Sequence, residues 1–540
     1  MNENMCCFLL SLLALFLGLS FALIPTIQHT LPNLSHRVAH HNKGRSRSSI
    51  SYSTSLEATS NPSFRSCSSQ NPDYSDAVSE LLGNCTPLEG QEQGLAFLFV
   101  NQYHSTPFGK IVKAVSEKLG PQTTLLSLIG GGVINGGSEI DDANVPSMSL
   151  LVGTLPKGAK VTTFSMKSDD DESTKIPSST LSSHSHVVFS DPFCTKITQV
   201  LQLLDKGSDG NNPKSNNNSV VAGGISVPRT MMEASVALQG KVLDPGSLVG
   251  VSLSGTIGLQ AIVAQGCRPV GPTFTITEIR AHAIAELDSK PALEQLEKIA
   301  EEANEEDKEL IRSLGILGGV LHNNVNRNSV GKSNDDTTQN KEVAGDFLIR
   351  QVIGFRPQSG SFLVAGGHQL KVGDSFRFHV RAPDAALEDM ELMIQRAQTE
   401  RLVLGSQYMG RPMGALQISC VARGKSLYGR PNVDLGLVQG LLASSSKDGM
   451  DTSKTEPSSP DKEYEHPIAG FFANGEIGPV GIQMGFGSKS SGNIPGSSLK
   501  STTHLHGFTT IVCLLCEYHA TEEHSMIGAS NGISIEDAWG

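Results

Sequence analysis

One order of elements occurs twice in this 540-residue chain, and it constrains the fold more than any other feature. Leu95–Val100 reads as a strand, Phe108–Leu119 after Pro107 as an amphipathic helix, and Thr124–Ile129 as a strand. A Gly-rich turn follows, then a further strand at Met148–Gly153. Far downstream the order returns, with strand Leu416–Val421, helix Val433–Leu442, strand Ile468–Ala473, a Gly-containing turn and strand Thr509–Leu515. The turns rhyme as well: Asn135-Gly136-Gly137-Ser138-Glu139-Ile140 in one half, Asn474-Gly475-Glu476-Ile477 in the other. Asn-Gly permits positive φ and marks a tight reversal. The pattern predicts an α/β (α+β) fold with an internal duplication. Two related layered domains of mixed β-sheet with flanking helices are expected. Chance similarity between two Gly-rich turns is the competing reading.

Between the halves, Leu248–Leu253 and Ala261–Ala264 read as strands, and the Cys267-Arg268-Pro269 turn as a structural link between domains. Pro291–Leu314 reads as one long acidic helix with a solvated charged face. A β-rich module follows, with strands at Phe347–Ile353, Ser361–Val364 and Ser375–Arg381. Alternation in the last puts Phe376, Phe378 and Val380 on one face and Arg377, His379 and Arg381 on the other. Asp384 is an expected N-cap for a helix to about Val403. Five stretches rich in Ser, Asn, Asp, Gly and Pro are expected as disordered insertions: 167–186, 206–219, 323–341, 444–465 and 488–503.

Charge and hydropathy remove whole classes. With 42 Lys+Arg against 54 Asp+Glu and no basic block, the chain lacks the clustered cations that phosphate neutralisation requires, so no nucleic-acid partner is expected. A mean hydropathy of −0.13 with one long apolar run excludes a polytopic membrane protein. That run, Cys6–Ile24, passes through the small residues Gly18-Leu19-Ser20 and reads as a signal peptide over 1–20. Residues 21–70 are rich in Ser, carry Arg and Lys, and hold a single acid, Glu57, which is transit-peptide composition. Together they resemble the bipartite plastid presequence of diatoms and related algae, so a plastid location is expected, with no membrane association in the mature protein. Secretion with a disordered propeptide, or a single membrane anchor, is the alternative. Cys6, Cys7 and Cys67 would leave with this leader. The lone Cys513-Leu514-Leu515-Cys516 lies in an expected strand, where positions three apart face opposite sides and cannot share a metal.

Several segments resemble the FIST family (F-box and intracellular signal transduction). Gly250–Gly258 and Gln265–Pro272 look like the end of a FIST N-terminal domain, and Gly345–Arg350 and Phe376–Arg381 like the start of the C-terminal domain. Ser419–Gly424, Gly470–Pro479 and Leu505–Thr509 look like its end. The resemblance implies domains over about 90–275 and 276–520 with a tail at 521–540, and no F-box precedes them. It implies a sensory, small-ligand-binding module of signal transduction, with amino acids among the proposed ligands. F-box relatives recognise substrate proteins for ubiquitin ligases, which gives a protein-interaction alternative. Some bacterial relatives bind haem and sense gas, which gives a minor one.

The residues point to one binding constellation. Glu476 between Gly475 and Gly478 is a carboxylate that a ligand ammonium could approach closely. Arg423 could take a ligand carboxylate in a bidentate pair, and the two together would suit an amino-acid zwitterion. The competing structural reading has Glu476 and Arg423 pairing with each other or satisfying turn amides. Cys420, Asn474, His506 and Thr509 flank the pair, and His379 and Arg381 are further candidate contacts or the polar face of a strand. Glu139 would mark a second, degenerate site. No nucleophile elbow, phosphate loop or zinc motif is present, so no catalytic residue, metal or cofactor is expected. Haem through His379 or His506 is the minor exception.

Overall fold

Two parallel neighbouring strands need a crossover between them, and in this chain a helix supplies it three times. The structure, a computed structural model, describes residues 64–83, 93–169, 176–207, 219–321, 347–404, 409–447, 467–480, 482–484 and 502–518. The first unit is strand Gly94–Asn101, helix Phe108–Leu119 and strand Thr123–Gly130. The second is Ser185–Ser190, Ile197–Lys206 and Val220–Ile225, and the third Met409–Cys420, Val433–Lys447 and Ile468–Ala473. In each, the two strands pair in parallel. A later strand closes the unit antiparallel to the first: Met148–Thr154, Ser247–Ser254 or Thr509–Tyr518. The two rhyming halves are therefore the outer members of a set of three. The middle copy escapes the sequence pattern because low-complexity segments flank its first strand and interrupt its crossover.

Each helix docks by an apolar stripe at helical spacing. Ile111, Val112 and Val115 form it in the first unit, Val200, Leu201 and Leu204 in the second, and Leu435, Val438 and Leu442 in the third. The stripes cover the outer faces of three sheets. The inner faces share one core, where Phe97 and Phe99 of the first unit meet Phe189 of the second and Phe471 of the third. Burial on both faces explains why these strands read as continuous apolar runs. Gly224 makes room at the centre: a Cβ there would come within 2.8 Å of both Phe471 and Ile418.

Every unit also gives away a short hairpin. Val133–Ile134 and Glu139–Ile140, from the first unit, extend the third unit's sheet beside Ile468–Ala473. Val236–Leu238 and Lys241–Val242, from the second, extend the first beside Thr123–Gly130. Glu476–Gly478 and His504–His506, from the third, extend the second beside Val220–Ile225. The exchange is cyclic.

The β-rich module closes on itself. Strands Cys267–Arg280, Ser375–Arg381, Ile316–Leu321, Leu348–Arg356, Ser361–Val364 and Ala283–Leu287 pair in that order, and the last pairs back with the first. The result is a six-stranded antiparallel barrel filled by Phe362, Phe376 and Phe378. The expected facing of Ser375–Arg381 holds for the phenylalanines. Gly266 alone separates the barrel's first strand from Ile257–Gln265 of the third sheet, and the expected domain border at 275/276 falls inside that barrel strand.

Other expectations change at the edges. Phe64–Ser69 is a strand paired with Met148–Gly153, with Phe64 and Cys67 buried, so the fold begins inside the segment assigned to the leader. Cys67 is disulfide-bonded, whereas Cys194, Cys267, Cys420, Cys513 and Cys516 are free. Within 167–186, the helical turn Ser178–Leu181 and the start of strand Ser185–Ser190 are ordered, and helix Val433–Lys447 runs into 444–465. The remainder of the five expected insertions, residues 1–63 and the tail lie almost entirely outside the described residues. The acidic helix is two helices, Ala292–Glu302 and Glu305–Leu314, because Asn304 accepts the Asp307 amide and caps a new start. Helix Pro383–Leu404 covers its expected span but starts one residue early, so Asp384 lies in its first turn and is not its N-cap. No helix among the described residues is long and apolar enough to cross a membrane.

Phe471→Ala removes the ring that touches both other units at the centre. A loss of about 3–5 kcal/mol is expected, read as a lowered urea midpoint.

Candidate functional site

Ligand sites in α/β folds favour the carboxyl ends of parallel strands, and the third unit gathers its polar residues there. Strand Met409–Cys420 ends at Cys420, the chain turns, and the Arg423 amide donates to the Cys420 carbonyl at 2.8 Å. Arg423, 1 % exposed, then forks onto Asp434 in the first turn of helix Val433–Lys447. Nε donates to Asp434 Oδ2 at 2.8 Å and Nη2 to Oδ1 at 2.9 Å. Nη2 also donates to the Tyr428 hydroxyl, which donates to Asp434 Oδ1. Thr510 Oγ1 donates to Asp434 Oδ2 at 2.7 Å. Burial works against both charges, but their mutual attraction outweighs it: Asp434 titrates below its usual range and Arg423 above its own. Among the described residues Arg423 Nη1 has no hydrogen-bond partner.

Glu476 reaches the same place from the donated hairpin and is fully buried. Its Oε2 accepts from Thr509 Oγ1 at 2.7 Å and from the Thr509 amide at 3.3 Å, while Oε1 has no partner among the described residues. Burial pushes its pKa up to about 8, although Thr509, the Cys420 thiol and the Arg423 charge all pull the other way. Cys420 stays a thiol, raised by burial and by the Glu476 charge, even though the Ala422 and Phe508 amides favour its thiolate. Arg381 arrives from the barrel, donates to the Ala422 carbonyl and stacks its guanidinium 5.6 Å from the Phe508 ring centroid. Phe508 holds φ at +63°, a left-handed conformation that costs a bulky residue energy.

The unit comparison isolates Glu476. It stands opposite Gly224 in the second sheet; the matching positions are Val133 opposite Phe471 and Val236 opposite Leu128. Both valines lie in the central core. The third unit thus carries a carboxyl where its sister units carry a methyl-bearing side chain. Cys420 is likewise the counterpart of Asn101 and Asp191, whose side chains accept the amide two residues on.

Cys420, Arg423, Glu476 and Thr509 come together, and Arg381, a candidate contact or the polar face of a strand, joins them through Ala422 and Phe508. The details differ. The Arg423 fork is already occupied by Asp434, so neither a bidentate ligand pair nor an Arg423–Glu476 pair forms. Glu476 is not exposed at its turn. Asn474 is exposed and joins only through its backbone, its amide donating to Ile225 O; the Gly475 carbonyl accepts from the Ile225 amide. His506 is the cross-strand neighbour of Glu476, with Nε2 donating to Gly478 O at 3.0 Å, and burial lowers its pKa to about 4. His379 contacts the Arg377 carbonyl, Gly319 and Phe347, none of which belongs to the cluster. Glu139 marks no second site. It occupies the return strand of its hairpin, out of register with Glu476, and accepts from Gln417 Nε2 and the Asn432 and Leu435 amides. It thereby caps the helix that carries Asp434, and burial with the Asp434 charge raises its pKa to about 7.

Asp434, Tyr428, Thr510 and Phe508 went unnoticed in the sequence; an Asp in the first turn of an expected helix was the one signal available. Cys513 faces the central core and Cys516 the helix-covered side, as strand alternation requires. Among the described residues no three His, Cys, Asp or Glu side chains are placed to hold a metal ion. A surface groove lined by Thr163, Phe164, Met166, Leu238 and Leu243 carries none of the clustered groups.

Three layered α/β units and a barrel thus meet around one buried acid–base cluster. The chain belongs to the FIST family: its residues 94–290 match the FIST N domain and 292–479 the FIST C domain. FIST domains are sensory domains of signal transduction. The chain is also similar to an uncharacterized protein of Mycobacterium tuberculosis, 27 % identical over 419 residues that cover 76 % of this chain and 93 % of that protein. An uncharacterized protein of Mycobacterium bovis is 27 % identical over 414 residues, covering 76 % and 92 %.

Glu476→Val restores the residue type of the sister units. A carboxyl raised to about 8 stabilises the fold fully below its unfolded pKa near 4.5, and that contribution is lost as pH rises through 8. The variant's margin over the parent should therefore widen by on the order of 4 kcal/mol between pH 5 and pH 9, read by calorimetric unfolding.

Proposed function

We propose that this protein is a non-catalytic sensor that binds an amino-acid-like metabolite at the Glu476–Arg423 cluster. One observation carries the reading: two fully buried groups of opposite type each keep one atom without a partner among the described residues, Glu476 Oε1 and Arg423 Nη1. The great majority of buried polar atoms in folded proteins are satisfied, and leaving one bare costs about 1–3 kcal/mol. An α-ammonium would donate to Oε1 and an α-carboxylate would accept from Nη1. Gly266 supports the approach to Nη1, since a Cβ there would lie 2.9 Å from it. In this reading Asp434 and Tyr428 hold the guanidinium in place rather than touch the ligand.

Amino acids added to the purified protein should raise its thermal midpoint in proportion to the logarithm of ligand concentration. Gly266→Ala, which fills the space beside Nη1 without removing a polar group, should abolish the shift. No shift with any member of a panel of protein amino acids and their decarboxylated and deaminated forms would refute the reading.

The leader-like composition of residues 1–63 supports delivery to a plastid. Phe64–Ser69 is part of the first sheet, so in this reading processing stops before Phe64. A fluorescent fusion of the whole chain should label plastids, and the N-terminal sequence of the mature protein should begin upstream of Phe64; a secreted or cytosolic signal would contradict the assignment.

A further inference from the structure

The two orphan atoms at the site are not equivalent. Arg423 is a cation whose charge Asp434 already balances. Glu476 occupies the position where Val133 and Val236 stand in the sister units, and among the described residues no Lys, Arg or His side chain forms an ion pair with it, although the Arg423 charge is felt there. Its surroundings can be followed element by element. From the strand end it meets the Cys420 thiol, and from the following turn Arg423, forked onto Asp434. On its own hairpin His506 is neutral, with Nε2 donating to Gly478 O. From the barrel, Arg350 donates to Leu505 O and Gln369 Oε1, and Arg381 donates to Ala422 O and stacks on Phe508, so these contacts of the two guanidinium groups are to neutral groups other than Glu476. Thr509 donates to Oε2 alone.

We propose that Glu476 carries a proton in the unliganded protein and releases it to solvent when a cationic group docks against Oε1, so that proton and ligand cation compete for this one carboxyl. The inference rests on the binding reading above and adds its regulation. The balance is simple: a neutral carboxyl and an ammonium ion become a carboxylate–ammonium pair and one free proton. No bond other than the O–H breaks. The upward displacement of the Glu476 pKa by burial agrees with this geometry. It places the working range near neutrality, where a small change in pH alters the protonated fraction. Below that range the affinity for a cationic ligand should fall about tenfold per pH unit, and above it the affinity should level off.

Two measurements decide the matter. The first needs no ligand: infrared difference spectra of the parent against Glu476→Gln at pH 7 should show a protonated carboxyl stretch that the variant lacks. A carboxylate band there instead would overturn the proposal, whatever binds. The second uses methylammonium chloride, a cation with no carboxylate, as probe. Its stabilisation of the parent should increase from pH 6 to pH 9 and be absent in Glu476→Gln. A shift that is equal at every pH, equal in both proteins, or missing from the parent throughout would also overturn it. Thr509→Val, which removes one donor from Oε2 and keeps the carboxyl, should move the pH window upward. Failure of the amino-acid panel with both measurements positive would sink the ligand assignment alone.

Discussion

A β-strand at the edge of a sheet must find a partner for its free N–H and C=O groups, and the architecture of this protein follows from how that need is met. In each unit the second parallel strand would be an edge. Thr123–Gly130, Val220–Ile225 and Ile468–Ala473 are covered in turn by hairpins from the second, third and first units. The three sheets are thereby held at fixed positions around the ring cluster of Phe99, Phe189 and Phe471. The helices then have only one side left to occupy, and each covers an outer face with its apolar stripe.

The candidate site is a by-product of the same exchange. The hairpin that the third unit donates carries Glu476 back against the end of its own unit's first strand, beside Cys420 and Thr509. The first unit's hairpin reaches the same region from the other side, where Glu139 caps the helix bearing Asp434. The barrel supplies Arg381, and the single residue Gly266 ties it to the third sheet directly beside Arg423 Nη1. Three remote stretches of sequence therefore meet around two charges. A core position that is valine in two units is glutamate in the third, where Thr509 satisfies one oxygen and burial favours the neutral form of the carboxyl.

Much of this was legible in the sequence because it is local. Strands buried on both faces read as apolar runs, and the helices of the first and third units show their stripes, so Leu95–Val100, Phe108–Leu119 and Ile468–Ala473 lie within or match the observed elements. Glu476, Arg423, Cys420 and Thr509 were singled out from turn chemistry and converge in space. What stayed hidden is non-local. The rhyme of Asn135–Ile140 with Asn474–Ile477 suggested that Glu139 matches Glu476, but strand pairing, which no single segment encodes, puts Val133 there. The Arg423–Asp434 fork spans eleven residues across a turn whose geometry depends on the helix that follows. The break at Asn304 turned on one capping side chain inside a periodic acidic stretch.

The cyclic hairpin exchange has a consequence for what the molecule can report. The segments matching FIST N and FIST C are consecutive in the chain but woven together in space: each contributes strands to the barrel and to the second and third sheets. Among the described residues, separating the two matching segments would therefore break strand pairings in the barrel and in the second and third sheets, so neither segment is a lobe that can swing on its own with those sheets intact.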